Sequence, residues 1–564
     1  MKYKCLTKLI CIVIVGIIAM LYEGRFVAIA QEETSNDNSG VEVLTRGPIH
    51  EAFAEPQDYN AAKCIKVAKE PPAAIEEIAP DEKPEGDNVE WIPGYWSWDT
   101  ERNDFIWVSG IWRVLPPGRS WVPGYWTAED DGWVWTPGFW MPTEADEVEY
   151  ISQQPPESLE VGPNTPAPSP DYLWTPGCWI YTNDRFAWRP GHWVTARANW
   201  VWEPSHYVWT PCGYVFIEGY WDWSLERRGV LFAPIYVQYS VYARPGFFYS
   251  PLIVIQTPFL LECLFISPNY HHYYFGDYYG DEYFRRGIRP WFTYDKYHHC
   301  YDPIFTHQRW NYGRKDSNWE KNIHNDYDYR RQHQDSRPPR TYSDQVKIAV
   351  RAPIKGHKIL MIGAPLNELS KHKDAPIRFE MIDSKQRDSM NGKGKDLRKF
   401  KDERVKWESK KQAEIKSEPN ENLQEQQSLP IKQPKETNTS KQKHTKSKEI
   451  QGAKESGKDT KESEPEIFQK VKIPKSPIFS NPKHDSGKGE KPPNMPEIPK
   501  PDLNTRSKSS QRENSKQEPI LNKAPSDGRS LDNKGQDNKS QDNRGQDIKS
   551  QDYKSPGQQG RTGR

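Results

Sequence analysis

A six-residue motif, W-x-P-G-x-W, recurs along the chain at a nearly constant interval. WIPGYW begins at 91, WVSGIW at 107, WVPGYW at 121 and WTPGFW at 135. After a gap come WTPGCW at 174 and WRPGHW at 188, then degenerate copies WEPSHY at 202 and FIEGYW at 216, with a half-period echo, WTPCGY, at 209. The steps are 16, 14 and 14 residues in the first block and 14, 14 and 14 in the second. A fixed period of this kind is the mark of a repeat architecture, in which a short unit cannot bury a core alone. Proline and glycine inside the motif exclude a helix through it, whereas Trp, Tyr, Phe and Val suit a pleated, half-buried surface.

Of the 23 tryptophans, 19 lie between Trp91 and Trp223. Pairs such as Trp96/Trp98, Trp133/Trp135, Trp200/Trp202 and Trp221/Trp223 are two apart and so share one face of a strand. The two tryptophans within a motif are five apart, which places them on opposite faces unless Pro-Gly intervenes. As a tight turn, Pro-Gly makes them face each other across a hairpin; as a bulge, it resets the alternation. L-Pro-Gly favours a type II turn, whose twist fits hairpins poorly. Asp130-Asp131-Gly132 is the better hairpin signal. The expected fold is mainly β. It is a short-strand antiparallel meander of 14-residue Trp-Pro-Gly repeats in two blocks, followed by a β-rich aromatic segment and a long disordered C-terminal tail. The repeat core is expected at Trp91, Gly94, Trp96, Trp107, Gly110, Trp112, Trp121, Gly124, Trp126, Trp135, Gly138 and Trp140. In the second block it continues at Trp174, Gly177, Trp179, Trp188, Gly191 and Trp193. Aromatic pairs contribute about 0.5–1.5 kcal/mol each beyond their buried area, so indoles can replace the aliphatic core that such short strands cannot supply.

These units resemble the WXXGXW (also written YXWGXW) tryptophan repeats of exported bacterial proteins, including long planctomycete-type forms. The similarity is strong over 91–140 and 174–193 and fades by 223. It implies secretion and β-rich repeats, with no assigned activity and no functional residues beyond the repeat aromatics and glycines. The chain departs from the pattern at Ser109, at Pro204-Ser205, at Cys212-Gly213 and at Phe216, as capping units do.

Around the repeats the composition shifts. Lys2, Lys4 and Lys8 precede the apolar run 9–22, and Ala28-Ile29-Ala30 precedes Gln31, so 1–30 reads as a signal peptide, cleaved or retained as an anchor. Export is expected, with no membrane span after cleavage. Residues 31–88 read as a flexible lead-in, 89–140 as the first block, 141–173 as a Pro-rich linker and 174–223 as the second block. A Tyr-rich β segment is expected over 224–313 and mixed helix and edge strands over 314–375, with a surface helix near 316–335 and strands within 347–363. A low-complexity tail follows over 376–564, with one charged helix at 396–416. From residue 401 onward Lys+Arg number 35 against 26 Asp+Glu, which joins a basic tail to a body carrying 43 against 52.

Chemistry is sparse in the sequence. His298-His299-Cys300 with His307, and His271-His272 near Asp277 and Asp281, match no established metal spacing. No G-x-S-x-G, HExxH or P-loop occurs. No enzymatic activity, cofactor or metal is therefore expected, and the interspersed tail charges do not point to nucleic acid. The cysteines remaining after cleavage, Cys64, Cys178, Cys212, Cys263 and Cys300, are odd in number and widely spaced, with Cys178–Cys212 the pairing to consider. Two functions fit: an exported structural or interaction protein of the bacterial envelope, or a glycan-binding module stacking sugars on exposed rings such as Trp98, Trp133 and Trp200. The corresponding partners are envelope polysaccharide or other envelope proteins.

Overall fold

The computed structural model describes residues 40–57, 61–64, 66–267, 272–293, 301–350, 359–371, 377–417, 468–480 and 491–503. The export segment 1–30, Cys300 with His298 and His299, His271 and most of the low-complexity tail lie outside the described residues.

The motifs pair up, two to a hairpin, giving four hairpins of four short strands each. In the first, Val89–Ile92 and Tyr95–Asp99 run out to a turn, and Asp104–Val108 and Ile111–Val114 return alongside. The second uses Arg119–Val122, Tyr125–Glu129, Gly132–Thr136 and Phe139–Pro142. The third uses Tyr172–Thr175, Cys178–Thr182, Arg185–Arg189 and His192–Thr195. The fourth uses Trp200–Glu203, His206–Thr210, Gly213–Ile217 and Tyr220–Trp223. Pro-Gly is thus a break within each arm, not the turn at its tip. The tips are Asp130-Asp131 in the second hairpin and Asn183-Asp184 in the third; Asn183 and Asp184 both have positive φ (50° and 58°), the type I′ hairpin conformation. The first tip, Thr100–Asn103, is two residues longer than these, which accounts for the single 16-residue step.

The hairpins are separate ladders, and strands from outside the repeats extend the first and the fourth. Ile235–Val237 and Val41–Val43 extend the inner half of the first hairpin, and Gly229–Leu231 its outer half. Glu147–Ile151 joins Gly213–Ile217 of the fourth hairpin to Phe468–Lys472. A second layer, Leu264–Ser267 with His272–Phe275, packs its aromatic residues into the same core. The Tyr-rich segment 224–313 is therefore strand-bearing only in part, since Pro303–Gly313 at its end is helical, capped by the Asp302 side chain. The surface helix is present as Trp319–Gln332.

Several sequence-based boundaries change. Within 31–88, the described residues do not form a flexible lead-in: Leu44, Ile49, Phe53 and Ile75 are each at most 3% exposed. Segment 141–173 is only in part a linker, since Glu147–Ile151 is a ladder strand. The VKIAV run is not an edge strand. The Thr341 hydroxyl accepts from Asp344 N (3.1 Å) and donates to the Asp344 carboxylate (2.9 Å), an N-cap that starts the helix Tyr342–Val350; the strand comes later, at Gly363–Pro365. The charged helix is longer than 396–416, running Ser384–Ser417, and it is docked. Cys178 and Cys212 are free thiols, the latter donating to Glu408 O at 2.9 Å.

Candidate functional site

Within every hairpin the first tryptophan of one motif lies opposite the second of its partner. Trp91 pairs with Trp112, Trp96 with Trp107, Trp121 with Trp140, Trp126 with Trp135, Trp174 with Trp193, Trp179 with Trp188 and Trp202 with Trp221. Ring centroids in these pairs are 5.0–5.6 Å apart; Trp121 and Trp140 are tilted at 52° and the other pairs take the edge-to-face arrangement that the ring quadrupole favours. In the degenerate copies Tyr207 and Phe216 take the same places at 5.0 Å.

The glycine follows from this pairing. The indole of each leading tryptophan lies over the partner motif's glycine: Trp107 over Gly94 through its Nε1, and, through the six-membered ring, Trp91 over Gly110, Trp135 over Gly124, Trp121 over Gly138, Trp188 over Gly177 and Trp174 over Gly191. A Cβ built at Gly124, Gly138, Gly177 or Gly191 would meet that ring at 2.4–2.6 Å. Close approach, not an unusual φ, is what requires glycine at these positions.

Breaking the ladder at Pro-Gly leaves backbone groups that must be satisfied elsewhere, and carboxylates fill this role. Glu77 accepts from Gly94 N (2.7 Å), Gly110 N (2.9 Å) and the Trp107 indole Nε1 (3.1 Å). Glu51 does the same for the second hairpin, from Gly124 N (2.9 Å), Gly138 N (3.1 Å) and Trp135 Nε1 (3.2 Å). Both are buried, and burial pushes the Glu77 carboxyl above its usual range and Glu51 up to about 7, against the opposing pull of their N–H donors. In the third hairpin Glu160 accepts from Gly177 N (2.5 Å) and Trp174 Nε1 (3.0 Å). In the fourth, Ser205 stands at the glycine position, and its hydroxyl takes the Gly219 N–H at 2.8 Å. The proline carbonyls are met by cations or imidazole. Arg404 donates to both Pro123 O (2.9 Å) and Pro137 O (3.0 Å), and His50 Nε2 lies 3.2 Å from Pro93 O.

A second polar cluster joins the first and fourth hairpins. Arg113 pairs with Asp222 at 2.6 Å, and Arg228 with Glu203 at 2.6 Å and Asp222 at 3.2 Å; none of these side chains is more than 5% exposed. Both guanidinium groups also donate to the backbone, Arg113 to Ala52 O (2.8 Å) and Arg228 to Phe53 O (2.9 Å). Beside them is a cavity of about 20 Å³ lined in part by Glu51, Glu55, Glu203 and Asp222, room for no more than a water or two.

The rings considered for sugar stacking are placed differently from expectation. Trp200 is 1% exposed and stacked on Trp223 (4.0 Å), and Trp98 is 9% exposed against Phe105. Neither offers a free face, because Trp98 is packed into the main core and Trp200 into the cluster of Val194, Trp202 and Trp221. Trp133 is half-buried. His307 is buried, with Nε2 2.9 Å from Arg197 O, and among the described residues no group of three or more His, Cys, Asp or Glu is placed to hold a metal. Asp277 meets Arg340 at 2.9 Å.

The family model for the WXXGXW repeat (2 copies) matches residues 86–113, 121–141, 170–194, 197–222 and 212–226. Over these residues the chain carries WXXGXW repeats, and the first four matches each coincide with one hairpin. No curated protein and no solved structure matches the chain.

Titration of the buried acids gives a testable pH dependence. Burial raises the Asp302 carboxyl to about 7, against ~3.9 for a free aspartate. Between these values the folded protein keeps the proton that the unfolded chain gives up. This stabilising contribution is complete below about pH 4 and is lost as pH rises toward 7. Asp302→Asn retains the cap on Phe305 N, an interaction of 2.8 Å in the native chain, and removes the titration. Between pH 4 and 8 the variant should lose up to ~4 kcal/mol less stability than the native protein, as read by urea unfolding. Identical pH slopes would contradict the assignment.

Proposed function

We propose that this is an exported, non-enzymatic structural or interaction protein of the bacterial envelope, with the tryptophan hairpins as its rigid body. The observation that carries this reading is how its chemically capable groups are used. Glu51, Glu77, Arg404 and the Arg113–Asp222–Arg228–Glu203 cluster are buried and bonded to the protein's own backbone and side chains. The basic n-region and apolar run at the N-terminus support export. No helix among the described residues is long and apolar enough to cross a membrane.

A glycan-binding role is the competing reading. It is favoured locally by the third hairpin, whose Trp174, Trp188 and Trp193 are half-buried. Titration of the full chain with envelope and capsular polysaccharides, read by tryptophan fluorescence, separates the two. The scaffold reading predicts a flat response and no turnover of any of these polymers. A saturable change would install the glycan reading, and product formation would overturn both.

A further inference from the structure

The third hairpin holds its carboxylate differently from the first two. Glu51 and Glu77 are 3% and 5% exposed, on segments threaded through the core. Glu160 is half-buried, on a surface strap that forms no ladder between the strand ending at Ile151 and the one beginning at Tyr172. The strap is held by hairpin donors: Trp179 Nε1 to Glu157 O (2.9 Å), Trp174 Nε1 and Gly177 N to the Glu160 carboxylate, and Trp193 Nε1 to Thr165 Oγ1 (3.1 Å). Between these anchors Leu159 and Val161 point outward, 49% and 96% exposed. Three of the hairpin's four indole N–H groups therefore grip an extended peptide that contributes little apolar burial.

We propose that the third hairpin is an exchangeable peptide-binding site for an extended segment carrying a glutamate, and that its occupant in trans is the 155–167 strap of a second copy of this chain. The donors recognise a backbone carbonyl, a carboxylate three residues on and a hydroxyl beyond it, a pattern that a second strap supplies by construction. Held in cis, the strap competes at the millimolar effective concentration typical of short tethers. Freed, the 152–171 connector can extend on the order of 60 Å, enough to leave its own hairpin. Each departure yields one open clamp and one free strap on the same molecule, so reciprocal exchange closes a two-fold pair without new surface chemistry.

The test uses the full chain and a fluorescently labelled peptide of residues 155–167 as probe. Glu160→Ala, which weakens the cis strap, should bind the peptide saturably and at least tenfold more tightly than the native chain. A peptide carrying Glu160→Gln should bind at least tenfold more weakly. Equal binding by both chains, or none by a Glu160→Ala chain whose circular dichroism is native, overturns the site. Sedimentation of the native chain tests the occupant: self-association suppressed by excess peptide supports exchange between copies, and a monomer at every concentration overturns it. Neither result depends on where the protein resides or on whether it binds glycans.

Discussion

Gly110→Ala is expected to destabilise the protein by ~3 kcal/mol or more, in the range reserved for steric insertion into a packed core. A methyl carbon at Gly110 would lie 2.6 Å from Trp91 Cζ2, 2.7 Å from Glu77 Oε2 and 2.7 Å from Ile92 O. Trp91 is 1% exposed and fixed against Trp112, so the ring has nowhere to move. Displacing Glu77 instead would strip the acceptor from two glycine N–H groups and an indole, and unmade buried hydrogen bonds cost about 1–3 kcal/mol each. Gly392, inside the Ser384–Ser417 helix, is the control: nothing lies within 4 Å of its added Cβ. There alanine should raise stability by ~0.5–1 kcal/mol through helix propensity. Urea unfolding of the two variants beside the native chain measures both. Equal effects at the two glycines would contradict the packing described for the motif.

Arg404→Leu should cost about 3–5 kcal/mol, the usual consequence of leaving one member of a buried ion pair behind. Arg404 and Glu408 are both 0% exposed and 2.8 Å apart. The arginine reaches the two proline carbonyls of the second hairpin, while Glu408 accepts from Tyr125 (2.6 Å) and Tyr150 (2.9 Å) hydroxyls. Without the guanidinium, the helix loses its grip on the hairpin and an unpaired carboxylate stays in the core. Amide exchange across 384–414 should accelerate by orders of magnitude, with the first hairpin much less affected. The double variant Arg404→Leu/Glu408→Leu should be less destabilised than the single one, since no lone charge remains. Unchanged exchange in the single variant would mean that the helix is held by Leu397 and Phe400 alone.

The repeat itself was legible in the sequence because indoles at constant spacing with Pro-Gly between them leave few alternatives to short antiparallel strands. The spacing left Pro-Gly open as either a turn or a bulge, and the break it makes in each arm was not among these alternatives. It did not reveal that Trp91 reaches across to Trp112, since partner choice depends on where the tip falls. The 16-residue step marks that tip in hindsight. The pinning carboxylates were hidden because Glu51 and Glu77 lie in stretches with no periodicity. A clue was available in IHEAFA and IEEIA, where a carboxylate interrupts apolar residues. Arg404 and Glu408 lie in the stretch expected as one charged helix. Their position on one face with Leu397, Phe400 and Trp407, at helical spacing, is the sign that this face is covered. Burial of Trp98 and Trp200 depends on long-range packing that no local pattern records.

The most direct test of the pairing scheme is nuclear Overhauser contact between indole protons in protein labelled only at tryptophan. The structure predicts contacts between motifs, Trp91 with Trp112 and Trp96 with Trp107, where centroids are 5.2 and 5.3 Å apart. Contacts confined to the two tryptophans of one motif, Trp91 with Trp96, would place the turn at Pro-Gly and contradict the hairpin described here.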